Sequence, residues 1–402
     1  MNAPPRPGAA ATLMLCAAAA ILEGFDNQSM GVAAPRMAAE FHLTAGQMGL
    51  IFSGATLGLL LGAAVGGRIA DHLGRKRALI ASLLLFGLCS FLTATAVGPG
   101  SLFVARLLTG LGLGGSLPNY IALSSEAAHP ARRLSVGTWV MAGMPFGGAL
   151  AGLMALGGQW GWDWRSIFWV GGILPVALAL MMSLWLPESA AFRRAHAEAG
   201  TARVTSVSQV LFGEGRAPTT LMLWASFFLT QMVLLLMLNW LPSLILGLGY
   251  THAQASWAAV WSNLAGSIGA GLLGQRQSGP QRRQWIVATY AGIAAALLWV
   301  AHAGGSFAAT AVACAVAGAF INGAMLILYA SAPLYYGAAI RGTGVGTTVA
   351  VGRLGSVVGP LYASALLTGG VGSAAVLVAI LPFVAIGGGA AYALTGRATS
   401  AD

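Results

Sequence analysis

The chain has 402 residues, 57% of them hydrophobic and only 7% charged, with a formal net charge of +10. A soluble domain is about 25% charged, so this composition excludes an ordinary globular enzyme or binding module. It points instead to repeated spans of the ~30 Å hydrocarbon core, about 20 residues each. The positive charge does not mark a nucleic-acid partner, because Arg and Lys fall in short loops between apolar runs, with no basic patch interleaved with aromatics. The 57 glycines suit membrane helices, which use small residues to approach closely.

Twelve apolar segments follow in order: 12–34, 48–70, 78–97, 101–125, 134–157, 166–186, 217–246, 254–275, 284–303, 306–333, 342–368 and 371–395. The predicted fold is an all-α membrane protein, twelve transmembrane helices in two six-helix, pseudo-symmetric halves. The predicted units are 1–186, a central cytoplasmic loop 187–216, and 217–402. The first apolar run is long enough to span and ends without a small-residue cleavage site, so it reads as a helix and not as a removed leader.

Span 1 carries Glu23 and Asp26, three residues apart and so on roughly one face of a helix. A charge at bilayer depth costs at least ~2.5–3.5 kcal/mol on insertion scales, so such residues face watery cavities or partners and mark a functional site. The competing reading is a pair that merely holds helix 1 against a neighbour. After span 2 comes GGRIADHLGRKRAL, with Gly67, Asp71, Gly74, Arg75 and Lys76. A tight glycine turn there sets an acid among bases, and Asp71 can face a helix N-terminus or pair with Arg133. Span 4 reads ARLLTGLGLGGSLPNYIALSSE, placing Arg106, Asn119 and Tyr120 in the bundle. In span 5, Pro145 reads as a packing kink. QWGWDWRSIFW then clusters Trp160, Trp162, Trp164 and Trp169 as an aromatic interfacial belt.

The second half brings Gln231, Asn239 and Trp240 in span 7, Asn322 and Tyr329 in span 10, and Arg353 in span 11. Its counterpart of the loop after span 2 is degenerate, with Gln275 where an acid would stand. ARRLSVGT and AIRGTGVGT share an offset of 209, and sliding span 4 by 208 puts Gly110 on Gly318. A 6 + 6 duplication of this kind surrounds a midplane site. With the N-terminus in the cytoplasm, only Arg36 and Arg165 lie outside and Arg106 and Arg353 lie within spans. The other sixteen basic residues then face the cytoplasm, as do both termini.

The loop after span 2 resembles the signature of the major facilitator superfamily, G-x-x-x-D-x-x-G-R-[KR]. Arg106, Gly110, Gly112 and Gly114 resemble its R-x-x-x-G-x-G-x-G pattern in span 4. EGFD in span 1 resembles the acid–Gly–aromatic–acid motif of the aromatic acid:proton symporter family. NWLP, LPES and GVGTTVAVGRLGSVVGP fit that family, and the fuller patterns look most like its 3-(3-hydroxyphenyl)propionate transporter branch.

The resemblance implies import of an aromatic carboxylate with a proton by alternating access, in a bacterial inner membrane. It implies a cavity lined by Asn119, Tyr120, Asn239, Trp240, Asn322 and Tyr329, and a gating role for the loop from Gly67 to Lys76 with Arg133. Asp26 is the expected proton site, with Glu23 sharing it. A substrate carboxylate needs a fixed cation with a bidentate fork. Arg353 is the first candidate and Arg106 the second, which could instead pair with an acid of its own half. The expected partners are substrate, protons and lipid, with the chain a monomer.

A proton-coupled exporter of drug-like cations and a symporter of aliphatic acids share the fold. The first would favour deep acids without matching cations, and the second fewer cavity aromatics. A non-transporting sensor would not need buried acids. The three cysteines lie singly in apolar runs, no pair of histidines has ligand spacing, and no nucleophile–base pair or phosphate loop occurs. No metal, cofactor or enzymatic activity is therefore expected.

Overall fold

The computed structural model describes residues 8–129, 133–189, 192, 207–274, 281–337 and 340–397, and every regular element among them is helical. They fall into two compact units, Met1–Gly200 and Thr201–Asp402. The first contains α1 (Ala9–Glu40), α2 (Ala45–Leu73), α3 (Arg75–Ala94), α4 (Pro99–Ala127), α5 (Arg133–Ala155) and α6 (Arg165–Trp185). The second opens with a short helix, Val207–Phe212. It continues with α7 (Ala217–Gly247), α8 (His252–Gly274), α9 (Arg282–His302), α10 (Phe307–Ser331), α11 (Arg341–Thr368) and α12 (Ser373–Leu394).

Among the described residues, eleven helices are long and apolar enough to cross a membrane. The exception, α8, has 23 residues and so reaches about 35 Å at 1.5 Å per residue, but Gln254, Ser262, Asn263 and Ser267 lower its hydropathy. Leu61, Leu88, Leu92, Leu180 and Leu184 are exposed, which suits a surface in contact with lipid. The last span departs from a single helix. It turns at Ile380, between Ser373–Ala379 and Leu381–Leu394, because Pro382 has no N–H for the ladder and its ring crowds the preceding turn.

Close backbone approach organises each unit. A Cβ on Gly58 of α2 would overlap the Leu107 carbonyl of α4, and one on Gly110 would overlap the Ala55 carbonyl of α2. Gly318 of α10 plays the same part against the Ser262 carbonyl of α8. Likewise Gly147 of α5 meets the Ile21 carbonyl of α1, and Gly355 of α11 meets the Phe228 carbonyl of α7. In both correspondences the glycines stand 208 residues apart and the carbonyls they meet 207 apart, so the two units repeat one packing scheme. Between helices in lipid, where apolar burial gives no drive, such contacts supply the attraction.

A candidate coupling and substrate site

In the first unit the two acids of α1 meet α4 at different heights. Asp26 and Arg106 form a bidentate pair, Nη1 to Oδ1 at 3.0 Å and Nη2 to Oδ2 at 2.9 Å. Both side chains are 1% exposed. Phe168 of α6 lies beneath the guanidinium, 5.9 Å from its carbon to the ring centroid. Among the described residues the Arg106 Nε finds no hydrogen-bond partner. Glu23, one turn earlier and fully buried, accepts a hydrogen bond from Ser116 Oγ at 2.7 Å. Gly24 lets this stretch of α1 lie on the Met144 backbone of α5. A paired, hydrogen-bonded arrangement is what burial of charge demands. The Arg106 fork is thus already taken by a carboxylate of its own half. Ser116, in a run that reads as glycine packing, escapes sequence inspection.

The remaining named residues of the first unit are quieter. Asn119 donates to the Gly115 carbonyl of its own helix at 2.7 Å, and Tyr120 is buried in the core with Leu83, Phe86 and Leu113.

At the end of α2, Gly74 has φ +97°, and a Cβ there would run into the Glu188 carboxylate. Glu188 Oε1 accepts from the backbone N–H of Lys76 at 3.0 Å, capping the start of α3. Lys76 Nζ donates to the Ser183 carbonyl at 2.9 Å. Arg75 pairs with Glu126 at the end of α4, and Glu126 accepts from Ser189 Oγ at 2.8 Å. The LPES segment therefore seats on the α2–α3 turn through Glu188 and Ser189. In the sequence LPES carries only a family likeness, and Glu126 carries no signal of its own. Gly67 lies within α2 with open space at its α-carbon. The side chains of Asp71 and Arg133, and residue Gln275, lie outside what the structure describes, as do Arg6, Arg132, Arg193, Arg194, Arg203 and Arg276.

At the other end of this unit, Trp164 departs from the belt expected of it. It is 2% exposed, its indole N–H donates to Glu40 at 2.6 Å, and Arg165 stacks over its ring at 4.4 Å. Arg165 also forks onto Glu40, at 2.6 and 3.0 Å. Trp160, Trp162 and Trp169 are exposed as an interfacial belt requires.

In the second unit Arg353 lies mid-way along α11, half-buried. Among the described residues it makes no side-chain hydrogen bond or ion pair. No Asp or Glu occurs between residues 217 and 401, so its own half offers it no carboxylate within any span. Trp240 of α7 donates to the Pro360 carbonyl of α11 at 3.0 Å. Asn239 and Asn322 donate to carbonyls one turn back in their own helices, at 2.9 and 3.0 Å. The edge of Tyr329 meets Phe227 with centroids 5.4 Å apart. Asn322 and Tyr329 are half-buried like Arg353, whereas Asn239 and Trp240 are buried. Among the described residues no group of three or more His, Cys, Asp or Glu could hold a metal ion.

The family model described as Major Facilitator Superfamily matches residues 16–360. The 3-(3-hydroxy-phenyl)propionate transporter of Escherichia coli K12 is 42% identical over 386 residues, covering 96% of this chain and 94% of that one. The gallate transporter of Pseudomonas putida is 32% identical, covering 90% and 86%. The 4-hydroxybenzoate transporter PcaK of the same species is 30% identical, covering 92% and 88%. Among solved structures, an inward-facing, unoccupied bacterial homolog of the human lysosomal transporter Spinster superposes with a TM-score of 0.76. It covers 98% of both chains at 15% identity, a likeness of fold alone.

Proposed function

Since this chain belongs to the Major Facilitator Superfamily and is most alike, among these relatives, to transporters of aromatic acids, we propose that it imports an aromatic carboxylate. The cargo is of the hydroxyphenylpropionate or hydroxybenzoate type, carried with a proton by alternating access. One observation carries the reading. Arg353 stands at mid-span in a half whose spans contain no acid at all. A guanidinium at that depth calls for an anion, and a substrate carboxylate presents the matching planar acceptor. Arg106 is the weaker candidate, because Asp26 already fills its fork.

Proton coupling belongs in this reading to Asp26 and Glu23, the two deep acids of the first half. Asp26 changes charge as its contact with Arg106 changes, and Glu23 shares the proton. Asn119, Tyr120, Asn239, Trp240, Asn322 and Tyr329 contribute to the substrate path. The turn from Gly67 to Lys76, with Asp71 and Arg133, gates the conformational exchange. The six-helix units 1–186 and 217–402 are the moving parts, joined by the 187–216 loop. The excess of basic residues at one end of the spans supports cytoplasmic termini in a bacterial inner membrane. The active form is a monomer.

The test is uptake into proteoliposomes under an inward proton gradient, comparing 3-(3-hydroxyphenyl)propionate, 4-hydroxybenzoate, succinate and a lipophilic cation. Gradient-dependent accumulation of the aromatic acids alone is expected. Transport of the cation or of succinate without the aromatic acids overturns the reading.

A further inference from the structure

Two polar groups of the second unit stand out among those buried in its spans. Gln231 of α7 is 5% exposed and Ser356 of α11 is 1% exposed, yet among the described residues Gln231 Oε1 and Ser356 Oγ have no hydrogen-bond partner. Buried hydroxyls elsewhere in these helices turn back on their own backbone. Ser226 bonds Met222, Thr289 bonds Trp285, Ser331 bonds Ile327 and Thr348 bonds Gly344. Ser356 leaves that option unused. Buried polar atoms are almost always satisfied, most of all where water is scarce. An unsatisfied amide oxygen and an unsatisfied hydroxyl on two helices packed together mark a site whose partner arrives with a ligand.

The helix register places the two together with Arg353. Gly352 packs on Phe227, Gly355 on the Phe228 carbonyl and Gly359 on the Met232 carbonyl, so α7 and α11 run parallel, residue for residue. Gln231 follows Phe228 by three and Phe227 by four, and so lies in the stripe of α7 that meets α11. Ser356 follows Gly352 by four and Arg353 by three, which sets it between the glycine stripe and the arginine. At 1.5 Å per residue, Ser356 stands about 4.5 Å and Gln231 about 7.5 Å beyond Arg353 along the axis. That is the reach of an aromatic ring with a short acid chain.

Resting on the aromatic-acid reading above, we propose that Gln231 and Ser356 recognise the ring hydroxyl of the substrate whose carboxylate Arg353 holds. The phenol O–H donates to the Gln231 amide oxygen, and the Ser356 hydroxyl donates to the phenol oxygen. Should the amide stand the other way round, its NH₂ and the Ser356 oxygen exchange these roles. The pair makes the transporter selective for hydroxylated acids. An unhydroxylated acid leaves both groups unpaired in an apolar setting, and this is how a site built for a hydroxyl rejects the analogue lacking it.

The experiment measures binding of 3-(3-hydroxyphenyl)propionate and 3-phenylpropionate to the purified full-length transporter and to Gln231→Met, Ser356→Ala and Arg353→Lys. Both Gln231→Met and Ser356→Ala are expected to weaken the hydroxylated acid by roughly 10-fold, leaving 3-phenylpropionate unchanged or tighter. Arg353→Lys weakens both acids alike. Melting temperatures near that of the wild type certify folding. If Gln231→Met does not fold, Gln231→Asn, which shortens the reach, must show the same selective loss. Equal effects on the two acids, or none on the hydroxylated one, overturn the subsite while leaving the transport reading intact. Failure of the wild type to bind either acid overturns the transport reading itself, and the subsite with it.

Discussion

Removal of either partner from the Asp26–Arg106 pair is predicted to cost far more than removal of both. The two hydrogen bonds are 3.0 and 2.9 Å long and both side chains are 1% exposed. Arg106→Met strands a carboxylate in the bundle, and Asp26→Leu strands a guanidinium. Breaking a buried pair by deleting one partner typically costs ~3–5 kcal/mol, whereas replacing the whole pair by apolar groups of similar size is often neutral. The double variant Asp26→Leu with Arg106→Met is therefore expected to fall short of the summed single costs by at least ~3 kcal/mol. Unfolding of the purified protein in detergent, followed by tryptophan fluorescence, supplies the four stabilities of the cycle. Proteoliposome uptake, run in parallel, should be lost in all three variants. Single costs that simply add in the double variant would refute the pairing as an energetic unit. Full uptake by the stable double variant would remove Asp26 from coupling.

Arg353→Lys should raise the dissociation constant for an aromatic acid by roughly 10- to 150-fold, the worth of a charge-assisted bond. The methyl ester of the same acid should be nearly indifferent to that change, as paired titrations would reveal. Glu188→Ala removes the cap on the Lys76 N–H and loosens the α2–α3 turn; turnover in liposomes should fall while apparent affinity stays within a few-fold. Gly110→Ala pushes a methyl group into the Ala55 carbonyl and should abolish recovery of folded protein from membranes, measurable by size-exclusion chromatography.

What could be read from the chain follows from which forces are local. Apolar runs of membrane length announce helices by themselves, so among the described residues each of the twelve segments falls on helix, the last one broken at Ile380, and the 208-residue offset surfaces again in Gly110 and Gly318. Pro382 could have warned of the turn at Ile380, but apolar composition hides such a break. Glu23 and Asp26 stand out because acid at membrane depth is costly wherever it occurs. Their partners were far less legible. Arg106 was open between substrate and pairing, and only the approach of α1 to α4 joins it to Asp26, 80 residues away. Ser116 looks like any other small residue, and Glu126 and Glu188 look like ordinary loop-end acids until folding brings them to the α2–α3 turn. Trp164 shares its neighbours' composition, but Glu40, 124 residues earlier, draws it inward.

The division of deep charge between the two halves bears on what drives transport. Away from the span ends, which leaves aside Arg68 at the end of span 2, the first half holds Glu23, Asp26 and Arg106, a surplus of one carboxylate. Within the spans of the second half lies Arg353, a surplus of one guanidinium. On the proposed coupling, one proton cancels the first surplus and one substrate carboxylate cancels the second. Charge in a low-dielectric interior is costly unless compensated, so the loaded protein crosses its conformational barrier more easily than one carrying only one of the two. This would favour carriage of the two cargoes together over carriage of either alone. The cargo of one proton with one monovalent anion carries no net charge. An imposed pH gradient alone should then drive accumulation. A potassium-diffusion potential of ~100 mV, worth about 2.3 kcal/mol per charge moved, should change the steady-state level little. Accumulation driven by the potential without a pH gradient would mean that more than one positive charge accompanies each anion, and the one-for-one compensation between Arg353 and the first-half acids would fall.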